Sequence, residues 1–295
     1  MTKSAFITIV GRPNVGKSTL LNAIIGQKVA IVSRKPQTTR NRITGILTRD
    51  ETQIVFMDTP GMHMPKTRLG EHMVRSVKDA MSGVDAVLLV VEPITEIHNT
   101  EVNIINSCKA NGTPVILVIN KSDTINGEEI GKLIEMYTHE NDFAAVVPIS
   151  AIKNEGVEHV VSEVLKFSAE SVWYFEGEDY TDQPERVIAA ELVREKALKL
   201  LDKEVPHGIA VEVMSFKEDE RKALISISVT IFCEKDSHKG IIIGKGGAML
   251  KRISTYARED MEEIFGCKVF LECWVKVKEN WRDSDFMLSN FGYDK

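Results

Sequence analysis

The chain has 295 residues, 43% of them hydrophobic, enough for one large core or two of medium size, and two domains is the expectation. A formal net charge of −6 excludes a protein that coats nucleic acid with its whole surface, although it leaves room for a local basic patch. No secretion leader precedes the first apolar run, and the longest apolar stretch, 84–91 with Asp85 inside it, falls far short of the roughly 20 residues that span a bilayer. The expectation is a protein neither secreted nor imported, with at most a peripheral contact to membrane.

From the start to about residue 167, apolar runs of strand length alternate with segments of helical period, the pattern of a mostly parallel sheet covered by helices. Expected strands are 6–10, 45–48, 53–57, 86–91, 115–119 and 145–149, and expected helices are 17–25, 70–81, 99–109, 128–139 and 157–167. The first strand runs into Gly11, Arg12, Pro13, Asn14, Val15, Gly16, Lys17 and Ser18, which satisfy GxxxxGK[ST] between a strand and a helix. There the glycines let backbone amides curl around phosphate oxygens, and the helix N-terminus favours negative charge. Lys17 is expected to neutralise the β and γ phosphates, and Ser18 to ligate Mg²⁺. Between this loop and the next motif lies 33–44, polar and basic without apolar period, which reads as a mobile switch segment. Thr38 or Thr39 can offer a hydroxyl to Mg²⁺ there, with Thr39 preferred.

Asp58, Thr59, Pro60 and Gly61 close the strand 53–57, placing Asp58 beside the first loop, where it is expected to hold Mg²⁺ through water, and a glycine amide near the γ-phosphate. Asn120, Lys121, Ser122 and Asp123 follow another apolar strand and choose the base. An Asp carboxylate only accepts, so it matches the N1–H and N2–H donors of guanine and rejects adenine. Asn120 and Lys121 brace that loop, and the amide of Ala151, after Ser150, is placed to meet guanine O6. At Met62, where Ras-type enzymes carry a water-orienting Gln, a thioether cannot do that work. Here the chain resembles GTPases with a hydrophobic residue at this position, in which K⁺ joins the site and an Asn of the phosphate loop helps to hold it. Asn14 occupies that place. The expected catalytic set is therefore Lys17, Thr39, Gly61 and Asn14.

Residues 171–184 lose periodicity and gather acids, aromatics and a proline, which suggests a linker between a first domain, 1–170, and a second, 185–295. After it the order is helix, strand, strand, helical turn, GxxG, helix, strand, the arrangement of a type II KH fold. The GxxG is Gly244, Lys245, Gly246 and Gly247, and across 235–252 five Lys or Arg stand against one Asp. Lys239, Lys245, Lys251 and Arg252 are expected to meet RNA phosphates, with Ile242 in an apolar groove beside the loop. Phe270 and Trp274 share the outer strand face and could stack on bases, with packing under the C-terminal tail the preferred expectation. The four cysteines show no CxxC spacing and read as reduced thiols.

With GRPNVGKS, QTTRNRITG, DTPGM and NKSD in the first half and HKGIIIGKGG in the second, the chain resembles the Era family of bacterial GTPases over nearly its whole length. The resemblance places a switch at Gln37, Thr38, Thr39, Arg40 and Asn41. It implies a protein that turns GTP into GDP and phosphate with Mg²⁺, binds the 3′ end of 16S rRNA and assists assembly of the 30S subunit; a monomer is expected. It also implies a cytoplasmic location with peripheral association at the inner face of the cell membrane. A membrane-surface switch coupling growth or cell cycle to GTP level is the alternative; no DNA is expected as a partner.

Overall fold

The computed structural model describes residues 1–62, 65, 67–139 and 141–293. Its contacts divide the chain into two compact units, one of Met1–Ala30, Thr39–Met64 and Met73–Asp182, the other of Ile31–Thr38, Pro65–His72 and Gln183–Lys295.

The first unit is built on strands β1 (Lys3–Val10), β2 (Ile43–Arg49), β3 (Thr52–Asp58), β4 (Ala86–Val91), β5 (Val115–Ile119) and β6 (Ala145–Pro148), in the spatial order β2-β3-β1-β4-β5-β6. All pairings along that order are parallel except the β2–β3 hairpin. The central strands read AVLLVV and VILVI and are buried along their whole length, as strands covered on both faces must be. Helices α1 (Lys17–Ile25), α2 (Arg68–Ala80, in this unit from Met73 onward), α3 (Asn99–Asn111), α4 (Gly127–Thr138) and α5 (Val157–Leu165) alternate with them. One apolar cluster joins α1 and α5 to the sheet through Leu20, Leu21, Val160 and Val161; another joins its opposite side to α3 and α4 through Ile104, Cys108, Leu133 and Tyr137. Reciprocal capping boxes start two of these helices, His98 with Glu101 for α3 and Asn126 with Glu129 for α4. Because the strands are parallel, the loops that leave their carboxyl ends gather at one edge, where phosphate, metal and base motifs all lie.

Residues 171–182, read above as linker, belong to this first unit by their contacts. A two-residue strand β7 (Ala169–Glu170) pairs antiparallel with β1, and the chain is then strapped to the sheet. Buried Gln53 accepts from the amides of Tyr174 at 2.8 Å and Phe175 at 3.0 Å, while its own Nε2 donates to Phe175 O at 3.0 Å. Farther along, Ile46 N donates to Tyr180 O at 3.0 Å.

The second unit carries α6 (Glu185–Leu200), β8 (Ala210–Asp219), β9 (Leu224–Cys233), α7 (Asp236–Ile243), α8 (Ala248–Phe265), β10 (Lys268–Val277) and α9 (Asp285–Asn290). Its sheet runs β10-β9-β8, with β9 antiparallel to β8 and parallel to β10. The parallel pair requires a crossover, which α7 and α8 supply. Ile188, Leu192, Val229, Ile231, Ile253 and Ala257 are among the residues that close its core. Within this unit Ile31–Thr38 is held by α6: Glu195 Oε1 accepts from Val32 N at 2.9 Å, and Arg194 donates to Thr38 O. Phe270 and Trp274 are not covered by the tail, for they remain 55% and 59% exposed. The tail aromatics Phe291 and Tyr293 pack instead on buried Trp281, whose Nε1 donates to Gly208 O at 2.9 Å.

Candidate nucleotide site and GxxG loop

Lys17 starts α1 and is buried beneath the phosphate loop, its Nζ donating to Arg12 O at 2.9 Å and Gly11 O at 3.2 Å. Next to it, Ser18 Oγ donates to Asp58 Oδ2 at 2.5 Å and lies 2.9 Å from Thr39 Oγ1. Two hydroxyls and one carboxylate thus converge from α1, the 39–42 segment and the end of β3. Thr38 is engaged elsewhere, its hydroxyl donating to Lys35 O at 2.6 Å. Burial lowers Lys17 to about 8, with the Asp58 charge opposing, and burial raises Asp58 to about 6, with Lys17 and the Ser18 hydrogen bond opposing. Asp58 Oδ1 is buried and finds no hydrogen-bond partner of good geometry. An orphaned carboxylate oxygen beside two hydroxyls is a donor set suited to Mg²⁺, which prefers oxygen ligands and keeps several waters.

The 58–62 loop lies directly against the phosphate loop. A Cβ on Gly61 would come within 2.6 Å of Pro13 Cα, so any side chain there would push the two loops apart. Thr59 Oγ1 donates to Ile9 O at 2.8 Å, and Met62 N donates to Gly11 O at 3.2 Å. The Met62 side chain packs on the apolar cluster of α3 and α4. Asn14 is exposed, with a left-handed φ of 63°.

Asn120 ties the base loop to its neighbours: Nδ2 donates to Val15 O at 2.8 Å, and Oδ1 accepts from Ala151 N at 3.0 Å. The amide expected to await guanine O6 is therefore already engaged by Asn120, because Ala151 is buried behind that side chain. Gly16, at φ 101°, leaves space for this bridge, since a Cβ would sit 2.1 Å from Asn120 Nδ2. Asp123 is an exposed residue whose side chain lies close to the loop, and its carboxyl is held below the ordinary range first by the neighbouring Ser150 hydroxyl, with Lys153 Nζ 3.6 Å away adding to the effect. Lys121, left-handed at φ 62°, pairs with Glu92. Glu92, Glu101 and Tyr137 escaped the motif reading because they lie outside every recognised pattern; only the acid directly after β4 offered a signal.

In the second unit, Gly244, Gly246 and Gly247 take φ of 73°, 58° and 81°, giving a tight turn between α7 and α8. Lys245, Lys251 and Arg252 are exposed and Lys239 is half-buried, so the basic side chains reach solvent around that turn. Ile242 does not join them. It is fully buried in the core, because α7 turns it inward and leaves Ile241, 50% exposed, on the outside.

Residues 6–121 match the family model described as a 50S ribosome-binding GTPase, and residues 204–282 match that of the KH domain. GTPase Era of Ruminiclostridium cellulolyticum is 53% identical over 291 residues, covering 99% of this chain and 97% of that one. The chain belongs to the GTPase Era family. Two solved Era structures share its fold over 99% of both chains. Era in complex with MgGDPNP and nucleotides 1506–1542 of 16S ribosomal RNA is 39% identical with a TM-score of 0.94. A variant of Aquifex aeolicus Era bound to GDP and AlF4⁻ is 38% identical with a TM-score of 0.93.

Proposed function

We propose that this Era-family chain is a GTP-hydrolysing switch that acts as a monomer in the cytoplasm, binds the 3′ end of 16S rRNA through its KH fold and assists assembly of the 30S subunit. The observation that carries the reading is the Ser18–Thr39–Asp58 cluster beside Lys17, with the base loop anchored to the same phosphate loop through Asn120. The Era structure that holds both MgGDPNP and a 16S rRNA segment supports the joint assignment of nucleotide and RNA.

In this reading the amides of the 11–18 loop cradle the phosphates, and Lys17 exchanges its carbonyl partners for β and γ oxygens. Asp123 accepts from the guanine N1–H and N2–H groups. Ser18, Thr39 and Asp58 would hold Mg²⁺, the last through water. When bound, Mg²⁺ offsets negative charge on the phosphate tail. Gly61 brings its amide up to the γ-phosphate. Water attacks the γ-phosphorus, the bond to the bridging oxygen of the β-phosphate breaks, and GDP and phosphate leave. Met62 cannot orient that water, so Asn14 is assigned as an oxygen ligand for K⁺, an added positive charge where the transition state gathers negative charge. Turnover should be faster in potassium chloride than in sodium chloride at matched ionic strength; equal rates would remove the K⁺ assignment.

The decisive experiment for the function is crosslinking of the full chain to cellular RNA. A peak at the 3′ end of 16S rRNA is expected, and a spread of crosslinks without an rRNA peak would overturn the assembly role. The described helices include none long and apolar enough to cross a membrane. Association with the inner membrane face would therefore use the basic turn at Lys245, Lys251 and Arg252 on anionic lipid. Binding to anionic vesicles without any rRNA crosslink would turn the reading to a membrane-surface switch.

A further inference from the structure

Glu101 is a fully buried carboxylate outside the nucleotide motifs, and its two oxygens do different work. Oε2 accepts from the His98 amide at 3.2 Å, which completes the α3 capping box, and from the Tyr137 hydroxyl at 2.7 Å. Oε1 accepts from Arg12 Nε at 2.7 Å. The Arg12 guanidinium also lies 3.6 Å from Glu92, whose other oxygen pairs with Lys121. Arg12 belongs to the phosphate loop and Lys121 to the base loop, so two carboxylates and two cations, balanced in charge, form one chain of contacts between them. A capping box needs only one acceptor and works as well with Gln. The oxygen aimed at Arg12 is surplus to that need, and a buried charge is retained at a cost that a neutral residue would avoid.

We infer that Glu101 is a positioning residue for the guanine-nucleotide site: through Arg12 and Glu92 it locks the phosphate loop and the base loop into one preformed cradle. Tyr137, whose hydroxyl is pushed far up by burial and then by Glu101 itself, stays a donor throughout the physiological range. A cradle that loses this lock binds nucleotide less well before and during reaction alike, which raises KM and leaves kcat nearly untouched.

The inference rests on the nucleotide reading above, and the test separates the two. Full-length wild type, Glu101→Gln and Glu92→Gln are compared for release of a fluorescent GDP analogue and for GTP turnover. Glu101→Gln keeps the capping acceptor and removes the charge. Its expected effect is release about tenfold faster, with KM raised to a similar degree and kcat within about twofold, the loss of one charge-assisted hydrogen bond. Glu92→Gln should shift both quantities in the same direction, and the double variant should fall short of the two effects combined, as members of one network do. Release within about twofold of wild type in both folded variants, or a fall in kcat at unchanged KM, would overturn the inference. Should Glu101→Gln fail to fold, the half-exposed Glu92→Gln decides it alone. A wild type that retains no guanine nucleotide would sink the nucleotide reading itself.

Discussion

Burial makes the charges of Lys17 and Asp58 costly. The Lys17 pKa is lowered from 10.5 to about 8, so the folded chain holds that proton less tightly than the unfolded one. Its contribution to stability is present above 10.5 and lost as pH falls through about 8. Asp58, raised from 3.8 to about 6, contributes in the opposite sense: stability present below 3.8 is lost as pH rises through about 6. Between about 6 and 8 both groups are charged, so a bound Mg²⁺-nucleotide relieves both together and should stabilise the fold most in that window. Phosphate beside Lys17 restores its proton, and nucleotide affinity should fall as pH rises through about 8. Calorimetry at about pH 8.5 in two buffers of different ionisation heat should reveal proton uptake on binding. Identical heats would remove this account of Lys17.

At the scale of elements, the strap at 173–175 depends on one side chain of β3. Gln53 receives two amides of the strap and donates back to it. Gln53→Ala should cost about 1–3 kcal/mol by leaving part-buried amides unpaired, and should make 171–182 more sensitive to protease. Trp173, whose Nε1 donates to Glu51 O at 3.1 Å, reports detachment by its fluorescence. An unchanged melting temperature and spectrum would show that the strap is held by other contacts. This segment also marks how far the sequence can be read. Strands such as 86–91 and helices such as 17–25 were legible to the residue because apolar period and flanking glycines are local signals. The motif loops were legible for the same reason. The strap was not, since its partner Gln53 lies about 120 positions away and glutamine carries no pattern. Glu101 was hidden likewise, because its capping partner is a histidine outside the usual pattern and its bond to Arg12 joins residues far apart in the chain. Among the aromatics, position on a strand face did not say what covers it: Phe270 and Trp274 stayed exposed, and the tail took Trp281.

For the whole molecule, an acidic chain that engages RNA must do so through a confined basic surface. The exposed Lys245, Lys251 and Arg252 around the GxxG turn provide one. Lys245→Ala should weaken binding of the 16S 3′ segment and lower the slope of log affinity against log salt by about 0.7, the value for one phosphate contact on a single strand. An unchanged slope would take Lys245 out of the phosphate-contacting set.

Asn120 spans the loops on either side of it through a donor on Nδ2 and an acceptor on Oδ1, and the two atoms differ by one element. Hydrolysis of that amide, a slow chemical ageing to which asparagine is prone, would leave an aspartate whose second oxygen faces the Val15 carbonyl, acceptor against acceptor. Folding places the side chain at 4% exposure, away from the water that the reaction consumes. The nucleotide site thus shelters the amide on which its own assembly depends, and time spent unfolded is time in which that shelter is lost.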